Sequence, residues 1–401
     1  MKYIKNIKVN YAFTFIRNFS VTQGIWMLYL ASRGLSLLEI GLLEGIFHTA
    51  SLIMETPTGA VADIFGRKTS RLIGCALSVL SAALMILSDG FAMFAVSFVI
   101  SALSYNFESG AGDALVYDSL LLDGREETYM KVAGRTEVVF QSAGIAALAL
   151  GGLLGNIRYE LAYYAAMALA VAALLTGTLM KEPETGACRK HEGMLVSLKR
   201  QYVDSFAALR GSARLKYLLF VVPVFSSSVT LSFYYLQIAW ENQQISTAGI
   251  GLYLAISSVA AAAGAFFAHR IEKRLGERAI LAGAPLILAL LIFALRFTNV
   301  ALIPFCVISV LETVIFVSTR SYINRIIPSA QRATILSLES TLFSLVMIAI
   351  FPLFGAVSDH LGIADTFLLL GGLMLALAIG NACLAMRQKA DIQPTADCER
   401  I

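Results

Sequence analysis

Charged and Gly/Pro-rich breaks divide this chain into about twelve apolar stretches, each of roughly 20 residues or more and able to cross a hydrocarbon core about 30 Å thick. We place them at 9–33, 38–62, 70–88, 91–120, 132–156, 159–180, 216–240, 247–268, 279–297, 299–319, 333–357 and 362–386, and number them helix 1 to helix 12. A soluble domain has no use for this pattern. With 58% hydrophobic and 14% charged residues, the 401-residue chain carries more apolar surface than one water-facing core can bury.

The cations give the topology. All Lys and Arg except Arg17, Arg33, Arg158 and Arg296 fall in the N-terminal tail, in alternate turns, in the central stretch or in the C-terminal tail. Basic turns stay on the cytoplasmic side, so both termini are expected in the cytoplasm of a multi-pass protein of the cell inner membrane. The net charge of +4 is then topology, and nucleic acid is not an expected partner. Lys2, Lys5 and Lys8 precede a segment too long for a signal-peptide core, which reads as a retained first helix. The five cysteines are scattered without metal spacing.

The halves echo each other at an offset of 210 residues, Ile40-Gly41-Leu42 against Ile250-Gly251-Leu252, and Gly66 against Gly276. Such an echo indicates a duplicated six-helix unit: residues 1–180, a linker over 181–215, and residues 216–401 with a short cytoplasmic tail. In the linker, Leu195, Leu198, Tyr202, Phe206 and Leu209 share one face among charges, the pattern of an amphipathic helix on the membrane surface.

Between helices 2 and 3 stands Gly59-Ala-Val-Ala-Asp63-Ile-Phe-Gly66-Arg67-Lys68. Its glycines allow close approach and a sharp turn, and its cations pin the turn to the cytoplasmic face. With these residues, twelve spans and a long central loop, the chain resembles the major facilitator superfamily along essentially its whole length. The resemblance implies an all-α membrane protein, with twelve transmembrane helices in two pseudo-symmetric six-helix bundles. It also implies alternating access by a working monomer, and a cavity lined by helices 1, 4, 7 and 10. In the family, the acid and arginine matching Asp63 and Arg67 latch one conformation against neighbouring helix ends and acids. Gly59, Gly66 and an acid such as Asp113 or Asp118 would complete that latch here. The second half has Lys273 where Asp63 would map, so only the first half is expected to carry it. Drug and proton antiporters of the family carry Gly-Pro shortly before a Gly-Gly in helix 5. Here Gly151-Gly152 is present, but Ala147-Leu148 replaces Gly-Pro.

Ionisable groups inside apolar spans are costly and are functional candidates by default. Arg17, Glu55 and Glu108 lie at similar depths, about 10 to 15 Å from the basic ends, and are expected to meet as a proton switch. Helix 2 aligns Glu44, His48, Ser51 and Glu55; helix 4 aligns Tyr105 with Glu108; helix 5 aligns Glu137, Gln141 and Gly144. Tyr234 marks a polar face of helix 7, and Glu312 is the deepest acid of helix 10. Glu339 is expected to pair with Arg320 or Arg332. Acids beside aromatics suit amphipathic cations.

The reading is a secondary active transporter, a proton-coupled antiporter for efflux of a hydrophobic or cationic small molecule. Its expected partners are that substrate, protons and the bilayer, and no cofactor is expected. The alternatives are an uptake symporter or facilitator for a polar or anionic metabolite, and a transporter-like membrane sensor or lipid-handling protein. No nucleophile with a base, metal cluster or phosphate loop supports an enzyme.

Overall fold

A computed structural model describes residues 3–183, 212–297, 300–327 and 332–387. The chain is helical throughout these residues. Helix 1 has two pieces, Ile4–Asn18 and Trp26–Ser32, followed by helix 2 (Leu37–Phe65) and helix 3 (Arg67–Leu87). Helix 4 also has two, Phe91–Glu108 and Ala111–Leu122, followed by helix 5 (Tyr129–Ile157) and helix 6 (Tyr159–Thr178). The second half comprises helix 7 (Ala213–Glu241), helix 8 (Thr247–Arg278), helix 9 (Ala284–Ala294, entered through a wide turn Ala279–Gly283), helix 10 (Leu302–Ile326), helix 11 (Arg332–Leu361) and helix 12 (Ile363–Arg387). Ten stretches among the described residues are long and apolar enough to span a membrane. Twelve helices give ten such stretches because helices 8 and 9 run on as one from Thr247 to Ala294 and helix 1 is interrupted. The expected amphipathic helix over 195–209 lies outside the described residues.

Two expected helices are broken where the apolar pattern runs on. Helix 1 stops at Phe19 (φ −76°, ψ 66°), and residues 19–25 form turns closed by short-range bonds such as Val21 N–H to the Phe19 carbonyl at 3.1 Å. Non-helical backbone at membrane depth is tolerated where protein or a cavity receives its polar groups. Here helix 5 packs directly on the break: a Cβ on Gly151 would collide with the Val21 carbonyl. Helix 4 breaks at Ser109-Gly110, with Gly110 at φ +74°.

The two six-helix bundles meet along helix 2 against helix 11, helix 5 against helix 8, and helix 1 against helix 7. Glycines set the first two seams. A Cβ on Gly41 would lie 2.7 Å from the Phe351 carbonyl oxygen, and one on Gly152 would lie 2.8 Å from the Gly251 Cα. On helix 5 the tight contacts are those of Gly151, Gly152 and Gly155; Gly144, about two turns from Gly151, has no atom within 4 Å of a built Cβ. The bundles are therefore sealed at the end bearing Gly34, Gly90 and Gly362 and part toward the end bearing the basic turns.

Candidate functional site

A cavity of about 790 Å³ lies between the bundles. Its walls differ in chemistry. Arg17, Ser78, Ser104, Glu108, Glu137 and Gln141 come from the first bundle, while Trp26, Phe233 and Tyr234 form an aromatic wall where helix 1 meets helix 7. The Trp26 ring stands edge-on to Tyr234 at 5.2 Å. A smaller space of about 240 Å³ shares Gln23, Phe233, Tyr234 and Ser258 with it and reaches Glu312.

The charged wall begins at the turn between helices 2 and 3. Gly66 at φ +98° starts helix 3, and the Glu182 carboxylate, just beyond helix 6, accepts the Arg67 and Lys68 amides at 2.6 and 2.7 Å. This places an anion on the positive end of helix 3. One turn further in, Arg71 is only 2% exposed. Its Nη1 donates to Asn10 Oδ1 at 2.8 Å, its Nε and Nη2 grip the Glu108 carboxylate at 2.8 to 3.1 Å, and its plane covers the Phe13 ring at 4.1 Å. Gly112 leaves room for the pair, since a Cβ there would lie 3.1 Å from Glu108 Oε1. Gly112, just past the break in helix 4, thus makes space for a bidentate ion pair whose cation is buried and whose carboxylate is half-buried.

This arrangement corrects the expected meeting of Arg17, Glu55 and Glu108. Arg17 and Glu108 both line the cavity, but the cation of Glu108 is Arg71. Arg17 instead donates from Nη2 to Ser104 Oγ at 2.9 Å, and its Nε is buried with no partner. Glu55 faces the other bundle and accepts from Ser337 Oγ at 3.2 Å. Arg71 was easy to miss because it sits four residues past Arg67 and counts as part of the basic turn; in a helix, four residues carry it a full turn into the bundle.

The remaining candidates divide between the two spaces. Tyr105, 59% exposed, together with Glu137 and Gln141, lines the larger one, where Gln141 Nε2 donates to Glu137 Oε1 at 2.8 Å. Glu312 lines the smaller one and accepts from Ser226 Oγ at 2.7 Å. Tyr234 lines both. His48 lies 3.6 Å from Glu44 on its own helix and 3.3 Å from Ser344 on helix 11. Glu339 lies 3.5 Å from Arg320.

The turn residues are placed differently from expectation. Arg67 pairs with Asp63 across the turn at 2.8 Å, and the acid from a neighbouring helix end is Glu182, while Asp113 faces the cavity. A Cβ on Gly59 would meet nothing within 4 Å. A second copy of the pattern stands at the sealed end. Gly355-Ala-Val-Ser-Asp359-His-Leu-Gly362 repeats Gly59-Ala-Val-Ala-Asp63-Ile-Phe-Gly66, closing helix 11 as the other closes helix 2. Asp359 accepts the Leu37 and Leu38 amides of helix 2 at 3.0 and 2.9 Å. A search for the octapeptide, rather than for a 210-residue offset, would have found it.

A family model described as Major Facilitator Superfamily matches residues 9–239 and 217–397. The chain belongs to this superfamily. As a major facilitator protein it is a multi-pass secondary transporter of a small molecule and not an enzyme. Among relatives, YxaM of Bacillus subtilis (strain 168), an uncharacterised transporter of the superfamily, is 22% identical over 92% of this chain and 93% of its own. The quinolone resistance protein NorA of Staphylococcus aureus is 23% identical over 70% of this chain and 71% of its own. Among solved structures, the nucleoside transporter NupG superposes with a TM-score of 0.78 at 14% identity, covering 96% of this chain and 99% of NupG, a likeness of fold alone.

Proposed function

We propose that this transporter is a proton-coupled antiporter that exports an amphipathic aromatic small molecule, with its basic turns in the cytoplasm of a cell inner membrane and a monomer as the working unit. The observation that carries the reading is the two-sided cavity: a charged wall facing rings that offer stacking and apolar contact. The distant likeness to NorA supports efflux. With the basic end cytoplasmic, the cavity opens inward, ready to load an exported molecule. Glu312 is the assigned proton carrier. It has a hydroxyl donor and no ion-pair partner among the described residues, so protonating it changes the cavity's charge without breaking a pair, unlike Glu108. Arg17 favours the second reading, transport of an anion, because it brings an unpaired positive charge to the same wall.

The test is export of a fluorescent quinolone from liposomes holding the purified protein. An imposed pH gradient should accelerate transport in the wild type, and Glu312→Gln should remove that dependence. Identical rates with and without the gradient would refute proton coupling.

A further inference from the structure

We propose that Arg17 is the seat for an anionic oxygen group, a carboxylate or its equivalent, on the transported molecule. This rests on the cavity being the transport site. A guanidinium offers five donors, and Arg17 spends Nη2 on Ser104 while its Nε finds none. Ser104 cannot neutralise it, because a hydroxyl is uncharged: its oxygen accepts from Arg17 while its own proton goes to the Gly74 carbonyl at 2.7 Å. Glu108, one of the acids lining the cavity, is held by Arg71 through both oxygens, so its charge is already matched. Among the described residues no carboxylate forms an ion pair with Arg17. The wall therefore carries one direct ion pair, the further acids Asp113 and Glu137, and in Arg17 a cation that touches none of these carboxylates; at membrane depth such a charge is costly unless a ligand or water answers it. A planar guanidinium matches a carboxylate edge, and the aromatic wall receives the body of the molecule.

Calorimetric titration of the purified full chain with 1-naphthoate, 1-naphthamide and 1-naphthylmethylammonium tests this without any gradient, so proton coupling can fail while the seat stands, and the reverse. Naphthoate should bind at least about ten-fold tighter than naphthamide, and Arg17→Gln should erase that ratio while leaving naphthamide unchanged. Arg17→Lys keeps the charge and loses the fork, so it should lower the ratio without abolishing it; this variant serves if the Gln form does not fold. A ratio untouched by either variant, tighter binding of the ammonium compound, or no binding of naphthoate at millimolar concentration would each overturn the assignment.

A separate observation carries a second inference. The geometry points to Gly355 to Gly362 as a latch that holds the outer seal closed. Asp359 satisfies two amides of helix 2 across the bundle interface, while the Ser36 and Glu39 side chains satisfy the neighbouring amides in a capping box. A Cβ on Gly355 would collide with the Leu37 carbonyl. Parting the bundles at this end must strip Asp359 of both amides and expose the positive end of helix 2. The recurrence of one octapeptide on opposite ends follows from inverted three-helix repeats within each half, which turn equivalent segments to opposite faces.

Spin labels on Ser32→Cys and Asn242→Cys, one on each bundle at the sealed end, read the seal as a distance distribution. Asp359→Ala should raise the population of long distances by about ten-fold or more. Asp365→Ala, which removes an ion pair to Arg296 inside the second bundle, should leave it unchanged. An unaltered distribution in Asp359→Ala, or an equal shift in the control, would refute the latch.

Discussion

The same eight-residue pattern, Gly-Ala-Val-x-Asp-x-x-Gly, ends helix 2 and helix 11, and the two copies are engaged in opposite ways. At the basic end, Asp63 turns to Arg67 of the adjoining helix and Gly59 stands in open space. At the sealed end, Asp359 crosses to helix 2 and Gly355 packs on backbone. The pattern thus encodes a helix end that can be gripped. Whether it is gripped depends on whether the bundles touch there.

If this contrast is right, damage near the basic copy weakens one bundle, and damage to the other copy opens the seal. The largest expected effect is at the basic end. Arg71→Met should leave the Glu108 carboxylate without its cation and cost about 3 kcal/mol, seen as a lower unfolding temperature in detergent. The double variant Arg71→Met with Glu108→Leu should recover most of that loss. Next, Gly355→Val should cost about 1 to 3 kcal/mol through overpacking and lengthen distances across the seal, whereas Gly59→Val should leave those distances unchanged. Equal effects from the two glycines would break the comparison. Glu182→Gln should cost about 1 kcal/mol of thermal stability by removing the charge that holds the start of helix 3, without moving the seal. The smallest effect belongs to Arg67→Ala, whose exposed pair with Asp63 should be worth about 0.5 kcal/mol in the same melt.

Helix number and the two-bundle plan were legible in the sequence because span length and spacing follow from bilayer thickness. The breaks in helices 1 and 4 were not. Val21, Ile25, Ala111 and Leu115 keep the apolar pattern going through both interruptions, and hydropathy reports burial rather than backbone angles. The charged candidates were legible as rare ions in apolar spans, but their pairing was not. Depth along separate helices placed Arg17 near Glu108, while rotation about those helices gave Glu108 to Arg71. Asp113 shows the same limit: its distance from the turn suited the expected latch, but its direction is into the cavity.

The interrupted stretch Phe19–Ile25 has one further consequence. Phe19, Ser20, Thr22 and Gln23 form part of the cavity lining, and Val21 between them is clamped by Gly151 of helix 5. Cargo resting on this strip would lean on the same few peptide units that helix 5 grips within the first bundle. The next residue of helix 5, Gly152, packs on Gly251 of helix 8, so one turn of helix 5 touches both the cavity strip and the seam between the bundles.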